Sequence, residues 1–189
     1  MIALPLCGLW HIGQGAYIQA KAALAQFLLE SAWAETLQGQ KEVKPWPWAD
    51  IWPVGQLSVP RLGLSRIVLA GASGEALAFG PGRLFQTHYP EMAPHTVIAG
   101  HRDTHFRFLR YVKNGDRLVL HTHNGDVHHY TVIDIRVLHE NDFLPYNAFG
   151  ETLTLLTCYP FEAILPGGPL RLAVTASRVK SSRPGQVRL

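Results

Sequence analysis

Cys158 closes the apolar run Thr152-Leu153-Thr154-Leu155-Leu156-Thr157, and Tyr159-Pro160 follows it. Proline has no N–H to give to a ladder, so the strand is expected to end there, with the thiol at its terminus beside a loop. A thiol in that position serves either as a small inert core group or as a nucleophile. His101 has the same setting: it closes the run Thr96-Val97-Ile98-Ala99-Gly100, and Arg102-Asp103-Thr104 opens a turn after it. Imidazole changes its charge near neutral pH, so it can give and take a proton there. Arg171 opens a third run, Leu170-Arg171-Leu172-Ala173-Val174-Thr175-Ala176. With a period of two it shares a face with Ala173 and Thr175, opposite Leu170, Leu172 and Val174. A charge on a face of small residues needs space or a partner. A thiol nucleophile, an imidazole acid/base and a fixed guanidinium for a developing oxyanion are the three groups that acyl transfer requires.

These residues are far apart in sequence, so a fold must bring them together. After Gln56 short apolar runs are broken by Gly, Pro, Asn and Asp, the pattern of a compact β domain. The expected strands are Gln56–Val59, Arg66–Leu69, Thr96–Ala99, Arg117–His121, Val127–Leu138, Thr152–Cys158 and Arg171–Ala176. Short helical turns are expected around Gly74–Ala78 and Thr104–Leu109. Asn124-Gly125 signals a two-residue hairpin turn. Many strands at short spacing with few helices argue for a closed barrel rather than a βαβ sheet.

Three blocks of this sequence resemble the signature blocks of the sortases: Thr96-Val97-Ile98-Ala99-Gly100-His101-Arg102-Asp103-Thr104-His105-Phe106, Leu155-Leu156-Thr157-Cys158-Tyr159-Pro160-Phe161, and Leu170-Arg171-Leu172. The resemblance runs from Gln56 to about Ser177 and includes Leu57-Ser58-Val59-Pro60, Gly80-Pro81-Gly82 and Asn114-Gly115-Asp116. The Trp-rich stretch Pro45-Trp46-Pro47-Trp48-Ala49-Asp50 is similar to the linker of sortases from Gram-negative proteobacteria. Ala93-Pro94-His95 departs from the family, whose members often carry a Gly-Asn turn there. The resemblance implies an all-β fold with minor helices, a closed eight-stranded β-barrel preceded by an N-terminal helix. It implies a cysteine transpeptidase that cleaves a C-terminal LPxTG-like sorting signal through a thioester and passes the protein to an amine acceptor at the cell envelope. Cys158 is then the nucleophile, Arg171 the oxyanion partner and His101 the acid/base, while Thr157, Tyr159 and Ala99 contact substrate. His139–Gly150 and Tyr159–Pro169 correspond to the segments flanking the family's substrate groove. No cofactor and no metal are implied.

From Ile2 to Ala20 no residue is charged, a length close to a membrane span. His11, Gln14 and three glycines dilute it, and no basic flank precedes it. A retained anchor fits better than a cleaved signal, because no small-x-small site follows, and Leu4-Pro5-Leu6-Cys7 lacks the small residue a lipidated cysteine wants before it. Apolar residues Ala16, Leu24, Phe27, Leu28 and Leu37 continue a helix toward Gly39. The chain thus divides into an anchor and helix (1–38), a Pro/Trp-rich linker (39–55), a catalytic barrel (56–178) and a tail (179–189). The expected location is the inner membrane with the barrel in the periplasm. At 189 residues, 47% of them hydrophobic, the chain can bury one real core, and a scattered net charge of +3 does not call for nucleic acid. Two cysteines exclude a disulfide framework.

Rival readings remain. A barrel with a groove can bind peptides without catalysis. His121, His123, His128 and His129 cluster on the Asn124-Gly125 hairpin, where two-residue register sets His121 opposite His128 with His123 on the same face. Zinc can bind such a set, but no cysteine joins it, and a solvated hairpin is the better reading. A papain-like order, cysteine before histidine, is reversed here. The Ser-His-Gly-Cys block of an L,D-transpeptidase is missing around Cys158.

Overall fold

The computed structural model describes residues 3–84, 95–142, 151–163 and 167–179, with first-helix side chains described at 14, 17 and from 19 onward. Helix α1 spans Ala3–Leu37. Strands β1 (Pro53–Val59) and β2 (Leu64–Ala70), helix α2 (Gly74–Phe79), and strands β3 (Gly82–Arg83) and β4 (His95–Ala99) follow, and then β5 (Arg117–Thr122), β6 (Val127–His139), β7 (Thr152–Cys158) and β8 (Leu170–Arg178). The eight strands close into a barrel in the order β1-β2-β3-β4-β7-β8-β6-β5. β2 with β3 and β4 with β7 are parallel, and the other pairs are antiparallel.

The expected strands are present, each lengthened by a residue or more except β7, and β3 adds a two-residue strand that the sequence does not announce. Gly82 has to be glycine at that crossing, since a Cβ there would stand 2.1 Å from the Gly71 carbonyl oxygen. β7 is buried along most of both faces between β4 and β8, which is why Thr152–Cys158 reads as a nearly continuous apolar run rather than an alternating one. β6 serves two neighbours. Its first residues pair with β5 and the rest with β8, and a register shift between Val132 and Asp134 turns the strand from one to the other.

The hairpin departs from the expected register. Gly125 takes φ +87°, Asn124 does not have a positive φ, and the Thr122 N–H donates to the Asp126 carbonyl while the Thr122 carbonyl accepts from the Gly125 N–H, so the loop holds three residues. The register slips by one: His121 stands opposite Val127 and His128 opposite Leu120. His128 is buried on the core side while His121 lies on the other face. The four histidines therefore do not form the same-face set that a zinc site there needs, and among the described residues no group of ligating side chains is gathered for a metal.

The barrel interior is filled by Leu57, Val59, Val68, Ile98, Leu118, Leu120, Tyr130, Val132, Leu153, Leu155 and Val174, with Phe106, Phe108 and Leu109 packed in from the turn after β4. A second cluster lies outside it, where Leu29 and Trp33 of α1 meet Ala49, Ile51, Ile67, Leu69 and Ala76. The face of α1 that docks is Ala25, Leu29, Ala32, Trp33 and Thr36, while Leu24, Phe27 and Leu37 are exposed. Apolar residues surround this helix on nearly all sides, so their spacing does not single out the docking face. In the linker, Trp46 meets Phe79 edge-on at 4.9 Å and Trp52 packs on the barrel core, whereas Trp48 is exposed. Among the described residues no helix is long and apolar enough to cross a membrane. The tail beyond 179, Ala93-Pro94 and residues 143–150 of the expected groove segment lie outside the described residues.

Candidate active site

Strand register assembles the site. Parallel pairing sets Ala99 of β4 beside Leu156 of β7, and antiparallel pairing sets Cys158 opposite Arg171 of β8. The Gly100 N–H donates to the Leu156 carbonyl at 3.1 Å, so the pairing continues past the end of β4. Carried two residues beyond its last pair, Ala99–Leu156, the same register leads to His101 and Cys158. Two paired rows cross the face turned away from the core, Val97–Thr154–Thr175 and Ala99–Leu156–Ala173, and Cys158–Arg171 opens a third row, to which His101 is added by extending the β4 register. The Thr154 and Thr175 hydroxyls lie 3.2 Å apart, as side chains of one row should. On the opposite face Ile98, Leu155 and Val174 enter the core.

Each member of the third row is held differently. His101 is exposed, at the head of a turn whose far end is fixed by Phe106. The Phe106 N–H donates to the His101 carbonyl at 3.0 Å, and the ring is wholly buried against Gly100. A Cβ on Gly100 would stand 2.8 Å from that ring, so the glycine lets the turn close this tightly. Cys158 is a free thiol, half-buried. Arg171 is anchored by its own neighbours. Nη1 donates to the carbonyls of Gly168 (2.5 Å) and Leu170 (3.0 Å), and Nη2 pairs with the Glu140 carboxylate just past β6. Here is the partner that a charge on a face of small residues requires. A guanidinium carries five N–H donors, and these three bonds leave two of them, including Nε–H, uncommitted among the described residues.

Of the remaining expected site residues, Ala99 is half-buried one row behind the thiol, and Tyr159 is half-buried, edge-on to Phe161 at 6.3 Å. Thr157 is turned the other way. Its side chain is buried and its hydroxyl donates to the Gly100 carbonyl at 2.7 Å, joining the cysteine strand to the histidine strand. Glu140 and Arg102 are additions that the sequence alone does not single out. Arg102 is buried, and it donates to the carbonyls of Pro160 (3.0 Å) and Ala163 (2.7 Å) in the loop after the cysteine. No local signal links residues 31 or 58 positions apart.

A neighbouring imidazole, His105, is pushed below its ordinary pKa chiefly by burial. A bond to the Ala78 carbonyl opposes that shift, and the charges of Arg66 and His101 add to it. His105 lines a cleft of about 630 Å³ between α1, β2, α2 and the turn after His101, lined also by Gln26, Glu30 and Arg66.

A family model described as the sortase domain matches residues 57–179. Sortase D of Bacillus subtilis (strain 168) is 28% identical over 127 residues, a match that takes in 66% of this chain and 63% of that protein, so the chain spans under two thirds of that curated relative. Among solved structures, the pilus island 1 sortase C2 of group B Streptococcus is similar with a TM-score of 0.60 and 26% identity, over 68% of this chain and 74% of that one. Sortase C-1 of Actinomyces oris gives a TM-score of 0.59 and 29% identity, over 68% of this chain and 73% of that one.

Proposed function

The chain belongs to the sortase family, and from that premise we propose that it is a cysteine transpeptidase whose working groups are Cys158, His101 and Arg171. The observation that carries this reading is the half-exposed Cys158 thiol paired across the ladder with the anchored Arg171, at the end of the strand that runs beside the one His101 follows.

In the proposed reaction the Cys158 sulfur attacks the threonyl carbonyl of an LPxTG-like sorting signal. Negative charge develops on the carbonyl oxygen, and the uncommitted N–H groups of Arg171 stabilise it. The C–N bond breaks, His101 gives its proton to the departing amine, and a thioester to Cys158 remains. An amine acceptor at the cell envelope then attacks the thioester, His101 takes the proton, and the thiolate leaves. Ala99 and Tyr159 flank the thiol and contact the signal. Thr157 contributes by fixing the spacing of the two strands.

The uncharged stretch from Ile2 to Ala20 supports a further part of the proposal, that the chain is held at the inner membrane with the barrel in the periplasm. Fractionation with protease accessibility tests it, and a purely cytoplasmic chain would refute it.

The catalytic reading is tested by incubating the full chain with LPxTG-like peptides and candidate amines and reading adducts by mass spectrometry. Wild type is expected to carry the acyl group on Cys158. Cys158→Ala should bind peptide with unchanged affinity and form no adduct. Peptide binding by wild type with no adduct at any pH or with any amine would make the protein a binding barrel instead.

A further inference from the structure

We propose that Arg102 is a positioning residue that keeps His101 and Cys158 in register by clamping the loop after the cysteine to the turn after the histidine. This inference rests on the catalytic reading above. Arg102 directly follows His101, yet its side chain leaves the histidine turn and is only 5% exposed. Its two terminal nitrogens donate to different carbonyls, Nη1 to Pro160 and Nη2 to Ala163, two and five residues beyond the thiol. The backbone that carries the nucleophile on one side of this contact, and the acid/base on the other, are thereby joined through one planar group. Nε lies 3.4 Å from the neighbouring Asp103 carboxylate, which helps to aim the fork. Farther along the same turn, Arg110 stacks over the Phe161 ring at 4.9 Å and stands 3.8 Å from Glu162. That second contact is more exposed and salt-screened, so the buried arginine is the dominant one.

The strand ladder alone does not fix this geometry. The last ladder bond between the two strands is Gly100 to Leu156, short of both catalytic positions, and the Thr157 hydroxyl bond to Gly100 adds one tie at the same level. Beyond that level the histidine chain has left its strand, whereas Cys158 stays in β7 opposite Arg171 and the Tyr159 N–H donates to the Leu170 carbonyl at 3.0 Å. Without the clamp, the turn that carries His101 loses its buried tie to the loop at Pro160 and Ala163, and misplacement by about 1 Å can cost on the order of a hundredfold in rate. A lysine cannot replace the clamp, because a single ammonium on a flexible stem does not hold two carbonyls in a fixed fork.

The test uses the full chain and measures the rate and extent of acylation at Cys158 by a sorting peptide, alongside thermal unfolding. The variants are Arg102→Lys, His101→Ala and the double variant. Arg102→Lys should lower the maximal acylation rate by roughly tenfold or more, with the half-saturating peptide concentration changed less than about threefold. In the His101→Ala background the same change should have almost no further effect, because Arg102 acts through the placement of His101. Arg102→Gln, which keeps one donating group, carries the same comparison if the lysine variant unfolds. Wild-type acylation by Arg102→Lys, or an equal slowing in both backgrounds, would overturn the inference and leave Arg102 a stabilising residue only. A wild-type chain that forms no adduct would overturn the catalytic reading itself and the inference with it.

Discussion

In the proposed reaction Arg171 is a side chain whose task is prepared before any substrate arrives. Two carbonyls hold Nη1 and a carboxylate holds Nη2, so the guanidinium does not have to be ordered at the moment charge develops. Such preorganisation is what makes an oxyanion donor effective, and loss of one donor typically costs about 3 kcal/mol. Arg171→Ala should therefore slow acylation by on the order of a hundredfold or more. Arg171→Lys should recover only part of that, since the charge returns without the fork. Glu140 is a subtler test. Its carboxylate is about half exposed, with 46% of the side chain accessible, so the pair contributes less than a buried one. Glu140→Gln should slow acylation only by about two- to fivefold, in line with about 0.5–1 kcal/mol for an exposed pair, and the effect should shrink at high salt. A salt-independent loss as large as that of Arg171→Ala would mean that Glu140 touches substrate itself.

At the scale of elements, the histidine depends on how the chain leaves β4. Gly100 and Phe106 close the turn between them, with no room for a methyl group. Gly100→Ala is expected to cost about 1–3 kcal/mol by overpacking, and to slow acylation beyond what that loss of stability explains, because the clash moves the segment that carries His101. Phe106→Leu in the same chain should restore part of both. Differential scanning calorimetry and acylation rates on the three variants separate the two effects. The same turn marks how far the sequence could be read. Strand ends flanked by Gly100-His101 and Cys158-Tyr159-Pro160 are local signals, and so the ends of β4 and β7 were legible. β3 has only two residues and no period of its own, and it exists because β2 and β4 lie on either side of it. In the hairpin, Asn124-Gly125 marks the turn correctly. Its register, however, depends on whether one residue or two take positive φ, and that single choice decides whether His121 faces His128. The docking face of α1, the carbonyls clamped by Arg102 and the carboxylate beside Arg171 all depend on partners distant in sequence.

For the whole molecule, acid stability divides into two windows set by different groups. His95 opens β4, and its Nδ1 lies 2.7 Å from the Thr152 hydroxyl at the start of β7. Burial lowers its pKa, as it does for His105 in the cleft between α1 and the barrel. An unfolded histidine binds its proton near pH 6.5, whereas these two bind it only at lower pH in the folded chain. Between those values the unfolded state holds more protons, so stability is complete above about pH 6.5 and declines as the pH falls through that range, by at most about 1.4 kcal/mol per pH unit for each group. Asp116 behaves in the opposite chemical sense. Its carboxylate is held below the usual range chiefly by the bonds from Arg61, at 2.6 and 2.7 Å, with help from the Lys113 N–H. Its contribution is therefore complete above about pH 3.9 and is lost only below it. Urea midpoints measured at one-unit pH intervals should stay level from pH 8 to 7, fall from about 6.5 toward 5, and fall again below 4. His95→Asn and His105→Asn should each flatten the first decline and leave the second, and Asp116→Asn should do the reverse while lowering the midpoint at neutral pH. A midpoint that does not change between pH 7.5 and 5 would show that neither imidazole is buried in its neutral form.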